Sequence, residues 1–363
     1  MTRLFFELIQ VAIGNTGCLS KSPSENEWEE LFMMAQKQAI VGVCFHGVQS
    51  LDKQQLTHLS SEVKMNWLSM ALMIQQRNKL LNLRCEELQD QLSNDCFRSY
   101  IMKGQGNEMN YPKELANLRQ PGDIDVYLEG GYNKVIGYVN RTYPTCQVNE
   151  LEIHYHCFKD VDVEIHYKPF SLRNPFKNSR LQHFLKSESE ACFSNKVLLC
   201  TGEEIVVSTT RFNLVHQMVH IYHHLFTEGI GLRQLMDYYF LLVHNVQCRE
   251  EMKNAVKVLT NLRLIRFASA VMWVLKEVFN LGRSYMLVTP NEKDGRFILN
   301  EIIRRGNFGH MADDTVRLAS KWNSFWYVNG NTLRFFRFDY WAWFWTPIWR
   351  VYHFIWRKIN HYR

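Results

Sequence analysis

The chain has 363 residues, 46% of them hydrophobic and 21% charged, which is enough for two domains with sizeable cores and excludes wholesale disorder. Of its net charge of +6, five units sit in residues 331–363, where Arg334, Arg337, Arg350, Arg357, Lys358 and Arg363 face the single acid Asp339. The body is therefore nearly neutral, which argues against a broad nucleic-acid footprint.

Nine cysteines are scattered, odd in number and never in C-x-x-C spacing. They read as free thiols of a reducing, cytoplasmic compartment and not as a disulfide or zinc framework. The opening Met1–Gly14 resembles a secretion signal only superficially, since Glu7 and Gln10 interrupt its apolar run; an amphipathic first helix is expected. No apolar stretch reaches the ~20 residues that a membrane-spanning helix needs.

Ser24 and Glu27 match a capping box before Trp28, Leu31, Phe32 and Ala35, which predicts a second helix. Residues 61–95 carry periodic leucines without Pro or Gly and read as one long amphipathic helix. Residues 1–96 thus form a helical lead-in with no chemistry of their own, packing on the unit that follows.

A short strand, 97–102, ends in Lys103-Gly104-Gln105-Gly106, and after a polar stretch Gly122-Asp123-Ile124-Asp125-Val126-Tyr127-Leu128 alternates charged and apolar residues. On a strand that alternation puts Asp123 and Asp125 on one face. Two carboxylates so close are most easily held ionised by a cation between them, and hard oxygen ligands suit Mg²⁺, with Mn²⁺ as a substitute. The glycines upstream let backbone N–H groups approach a triphosphate, and Lys103 adds charge. Arg119, four residues before Asp123, is placed to bring its guanidinium to a phosphate oxygen.

Beyond a Gly130-Gly131 turn and a short helix at 132–139, runs 150–158 and 161–167 alternate and read as an antiparallel hairpin with a tight turn at Lys159-Asp160. Asp162, Glu164 and His166 share one face of the second run, so either Asp162 or Glu164 can join Asp123 and Asp125 as a third acid. From about residue 174 to 305 the pattern is helical. His216, His220, His223 and His224 lie on one helical face. The Glu of an H-E-x-x-H zinc site is absent, leaving interfacial packing or contact with a nucleotide. Arg233 is set to meet a phosphate or to pair with Asp237 at i+4.

Residues 331–363 interleave Trp341, Trp343, Trp345, Trp349 and Trp356 with other aromatics and arginines, and Pro347 is expected to split them into two pieces. Such a segment either docks on the body, the reading favoured here, or lies at a membrane surface.

Together, Lys103-Gly104, Tyr111-Pro112, Leu118-Arg119, Gly122-Asp-Ile-Asp and Val163-Glu164-Ile165-His166 resemble the uncharacterised nucleotidyltransferase family of the DNA polymerase beta-like superfamily. The resemblance covers positions 97 to 240, with Gly104-Gln105 where that superfamily usually has Gly-Ser. It implies an α+β fold: a small mixed nucleotidyltransferase sheet flanked by helices, with the helical lead-in and a helical C-terminal domain. The expected division is 1–96 lead-in, 97–172 catalytic core, 173–330 helical domain and 331–363 tail.

It also favours Glu164 as the third acid, giving Asp123, Asp125 and Glu164 as catalytic and metal-binding residues. Lys103, Gly104, Gln105, Arg119, His220 and Arg233 would contact the nucleotide. The implied activity is Mg²⁺-dependent transfer of a nucleoside monophosphate from an NTP to an acceptor (a small molecule, glycan or protein), with release of pyrophosphate. A protein of the same fold that binds nucleotide or acts as a scaffold without turnover, held at a membrane through the tail, is the alternative. In either case the expected location is the cytoplasm, or the periphery of the inner membrane through the tail.

Overall fold

The computed structural model describes residues 1–143, 147–227, 229–307, 330 and 333–359. Cys146, Arg363, the Arg357 side chain and residues 308–329 of the expected helical domain lie outside the described residues.

Four strands form the main sheet: β1 (Ser99–Ile101), β2 (Ile124–Leu128), β3 (Glu152–His154) and β4 (Val163–His166), in the order β1-β2-β4-β3. β2 and β4 run parallel while β1 and β3 pair antiparallel at the edges. The fold is thus α+β with a small mixed sheet flanked by helices. A parallel pair needs a crossover, and α6 (Gly131–Thr142) supplies it. Ile124, Val126, Val163 and Ile165 are buried on one side, as the alternation requires.

β3 and β4 do pair antiparallel, but residues 155–162 connect them, so the tight turn expected at Lys159-Asp160 is a longer loop. Arg84 explains its shape: the guanidinium holds Asp160 at 2.8 Å and stacks on Phe158.

Before the sheet come α1 (Thr2–Ala12), α2 (Glu25–Lys37), α3 (Val41–Ser50) and α4 (Ser61–Asn94), and a single turn, α5 (Lys113–Ala116), lies between β1 and β2. Ser24 and Glu27 close the capping box at the start of α2. Phe32 and Trp67 meet edge-on at 5.0 Å between α2 and α4, a contact worth ~0.5–1.5 kcal/mol beyond the area it buries. α4 then passes behind the site and sends two buried amides forward. Asn78 donates to the carbonyls of Asn117 and Arg119, both at 2.8 Å, and Asn82 donates to Glu108 at 2.9 Å.

After the sheet, α7 (Pro175–Phe193) leads into a hairpin that periodicity missed, β5 (Lys196–Leu198) with β6 (Glu204–Val206). Each strand is three residues long, too short for an alternation to register. Helices α8 (Thr210–Thr227), α9 (Leu232–His244), α10 (Arg249–Asn261), α11 (Ile265–Phe279) and α12 (Glu292–Arg305) follow. α1 packs on α11 as well as on α3. Gln10 reaches the carbonyl of Val278 at 3.1 Å, and Asn15 reaches that of Phe279 at 2.6 Å. The first helices therefore share one continuous core with the C-terminal ones, and a second core lies between α4, α6 and the sheet.

The last described helix, α13 (Tyr340–Ile359), runs unbroken through Pro347. The ring deprives the Trp343 carbonyl of its intrahelical donor, but Trp343 is exposed, and a carbonyl at the surface is open to water. Its entry is fixed by Asp339, which takes Lys177 at 2.5 Å and the Tyr222 hydroxyl at 2.7 Å.

Candidate active site

Cross-strand register builds the floor of the site. Asp125 on β2 stands directly opposite Glu164 on parallel β4, and Glu152 on β3 stands opposite His166. One carboxylate oxygen of Asp125 receives both the Lys103 ammonium, at 2.7 Å, and the Nε2–H of His166, at 2.9 Å. Glu152 approaches the same imidazole nitrogen at 3.3 Å.

Lys103 comes from the turn at the end of β1. Gly104 follows it at φ +57°, where a Cβ would sit 3.3 Å from the Asp123 carbonyl. Only a residue without that atom lets the turn lie against the start of β2 without strain.

The floor is electrostatically uneven. Lys103 and His166 hold Asp125 far below the ordinary carboxylate range against the cost of burial. Repulsion from Asp125, with burial, raises Asp123. Burial first, and then the charges of Asp125, Glu152 and Asp123, push Glu164 up to about 9. Three acids so placed favour the arrival of positive charge.

Among the described residues, ligand atoms of Asp125, Glu164 and His166 lie within 4.8 Å of one another. This donor set fits a divalent cation: the carboxylates suit Mg²⁺ and Mn²⁺ alike, and the imidazole suits Mn²⁺ better. Asp123 lies on the cleft wall beside them.

Across a cleft of about 500 Å³ stand α8 and α9. His220 lines it, 2.9 Å from His224 and 3.5 Å from Lys103. Burial and the Lys103 charge push His216 down to about 3, and burial with His224 and Lys103 pushes His220 well below its ordinary value. Both imidazoles are neutral at pH 7, so they offer hydrogen bonds and not charge. Gln217 on α8 donates to Asn107 at 2.7 Å and ties that helix to the turn after Lys103.

Two arginine expectations change. Arg233 does not pair with Asp237; its guanidinium reaches the carbonyls of Gln120 and Pro121 at 3.4 and 3.3 Å, just before the acidic strand. Asp237 is instead gripped by both arms of buried Arg119, at 2.7 and 2.8 Å, with the Tyr111 hydroxyl at 2.6 Å. Arg119 lines the cleft, but its fork is engaged with a carboxylate, so it fastens the 111–119 loop to α9. Gln105 also departs from expectation, because its side chain is buried behind the floor against Asn82 of α4 and does not line the cleft.

Lys103, Gly104, Asp123, Asp125, Glu164, His220 and Arg233 do converge on the one cleft. Sequence reasoning left out His166 and Glu152 as members of the floor. His166 was within reach, being two residues from Glu164 on the same strand face. Trp349 and His353 of α13 also line the cleft, and nothing in the sequence ties that helix to β2.

The family model described as uncharacterised nucleotidyltransferase matches residues 24–280. The chain belongs to this family. Membership supports nucleotidyl transfer as the class of chemistry for this cleft. A similarity also exists to the crystal structure of an antigenic nucleotidyltransferase-like protein from Paracoccidioides brasiliensis, at 11% identity and a TM-score of 0.37, covering 60% of this chain and 96% of that one. No curated protein matches the chain.

Proposed function

We propose that this nucleotidyltransferase-family chain moves a nucleoside monophosphate from an NTP to an acceptor hydroxyl on a small molecule, glycan or protein. The acceptor oxygen forms a bond to the α-phosphorus, the bond from that phosphorus to the β-phosphate bridge breaks, and pyrophosphate leaves. The observation that carries the reading is the direct register of Asp125 with Glu164 at the floor of a cleft that also holds Lys103 and Asp123.

Asp123, Asp125 and Glu164 would hold Mg²⁺ or Mn²⁺, with His166 fixing the orientation of Asp125. When bound, such a cation neutralises the triphosphate and makes an acceptor hydroxyl more acidic. Lys103 and the backbone at Gly104 take the β- and γ-phosphates, and Arg233 adds positive charge at the start of β2. Glu164 faces the acceptor and accepts its proton once ionised. The neutral His220 contributes a hydrogen bond to the nucleotide. Most of the catalysis is positioning and charge neutralisation.

The test incubates purified protein with each labelled NTP, Mg²⁺ or Mn²⁺, and cell extract. Label should pass to an acceptor in a chelator-sensitive way, and Asp125→Asn should lower transfer about 10³-fold, the scale of losing a group that stabilises transition-state charge. Unchanged transfer by folded Asp125→Asn protein would overturn the assignment.

A further inference from the structure

The C-terminal helix α13 is inverted for a surface helix. Its inward face carries Ala342, Thr346, Trp349 and His353; Thr346 accepts from Arg173 at 3.1 Å, and the Arg173 guanidinium lies over Trp349 at 5.2 Å. The outward face presents Trp341, Phe344, Ile348, Tyr352, Phe354 and Ile355, every one exposed and Phe354 at 59%. The patch continues off the helix to Phe176, 71% exposed, whose ring meets Trp345 at 6.5 Å. A contiguous aromatic patch of this kind marks an interaction surface.

Charge identifies what it meets. From Tyr340 to Arg363 the sequence contains Arg350, Arg357, Lys358 and Arg363 and no acid. The other two tail arginines are already paired with the body, Arg334 with Glu301 at 2.7 Å and Arg337 with Asp294 at 2.5 Å. An apolar face rich in Trp, Tyr and Phe, on a segment whose sequence has four basic residues and no acid, matches the boundary between headgroups and acyl chains of an anionic bilayer. No described helix is long and apolar enough to cross a membrane.

We propose that the outward face of α13 docks this protein in-plane on an anionic lipid surface. Trp349 and His353 on the other side of the same helix line the cleft, so one helix touches both the bilayer and the site. This surface is independent of the transfer chemistry.

Full-length protein is sedimented with vesicles of phosphatidylcholine alone and with about one-third phosphatidylglycerol, at low and high salt. Binding to the anionic vesicles should exceed binding to the neutral ones about tenfold or more and weaken as salt rises. The triple variant Phe344→Ser, Ile348→Ser, Ile355→Ser should lose about tenfold or more, and Lys358→Glu about fivefold.

Brominated lipid should also quench the tryptophan fluorescence of the unmodified protein, a readout that stands even if the triple variant fails to fold. Absence of binding or of quenching, or a folded triple variant that binds like the parent, would overturn the proposal. So would lipid-free dimerisation through these residues without vesicle binding, which would make a second copy the occupant. Asp125→Asn should keep full vesicle binding, which separates failure of this surface from failure of the transfer reading.

Discussion

The two walls of the cleft are built by different rules. The sheet wall takes its acids from backbone register: Asp125 meets Glu164 because β2 and β4 are hydrogen-bonded side by side, and moving either strand by one residue would send its acids to the other face. The helical wall takes its groups from packing, and those groups are either neutral, like His216 and His220, or committed to partners, like Asp237 with Arg119. Charge available for chemistry is concentrated on the sheet wall, and the helical wall supplies position. Mutations should therefore separate cleanly, activity following the sheet and stability following the helices.

The largest expected effect tests the helical side. Asp237→Asn leaves buried Arg119 without its counter-charge and should destabilise the protein by about 3–5 kcal/mol, measured by denaturant unfolding. Arg119→Met combined with Asp237→Leu should recover much of that loss, since the cost lies in the orphaned charge. If the single change proved harmless, the pair would not be the clamp between the 111–119 loop and α9.

Next comes the sheet side. Glu164→Gln should lower nucleotidyl transfer about 10²-fold without loss of stability, whereas Asp162→Asn, on the exposed approach to β4, should stay within about threefold. Steady-state kinetics on both variants ranks them, and the reverse order would mean that the acids of β4 are misassigned.

The most gradual effect concerns pH. Glu164 is raised from 4.5 to about 9, so in metal-free protein its contribution to stability is fully present below pH 4.5 and is lost as pH rises through about 9. The slope is at most about 1.4 kcal/mol per pH unit. Glu164→Gln should flatten that decline, and affinity for Mn²⁺, followed by titration calorimetry, should rise with pH over the same window. Asp125 has the opposite sign: its folded value is depressed, so its contribution holds at neutral pH and disappears only in acid. Parallel pH profiles for wild type and Glu164→Gln would contradict the environment described for Glu164.

How much was legible follows the same division. The period-2 alternation in Gly122–Leu128 and Val161–Tyr167 is a local signal that survives folding, so the two central strands and the acids they carry could be read directly. The capping box at Ser24 and the long α4 were readable for the same reason. Arg119 finding Asp237, at a separation of 118 residues, is a tertiary event with no local trace, and the sequence instead offered the nearer pairing of Arg233 with Asp237. Asn78 and Asn82 carry no sign of burial in the sequence of an amphipathic helix, because nothing nearby announces the 105–119 segment they hold. β5 and β6 were too short to register. Pro347 misled because its cost depends on whether water can reach the helix, a property of the folded surface.

The contact between Lys103 and Asp125 has a consequence for the life of the protein before it meets metal. Because the ammonium already compensates the most deeply buried acid of the floor, the newly made chain can complete its fold without ions, and on the proposed reading a shortage of divalent cations would idle the site without dismantling it. On the proposed reading, loading would be an exchange: Asp125 would pass from the Lys103 ammonium to the cation, and the lysine would be left free to face a triphosphate. Until then the ammonium spares the sheet the repulsion that bare acids would impose.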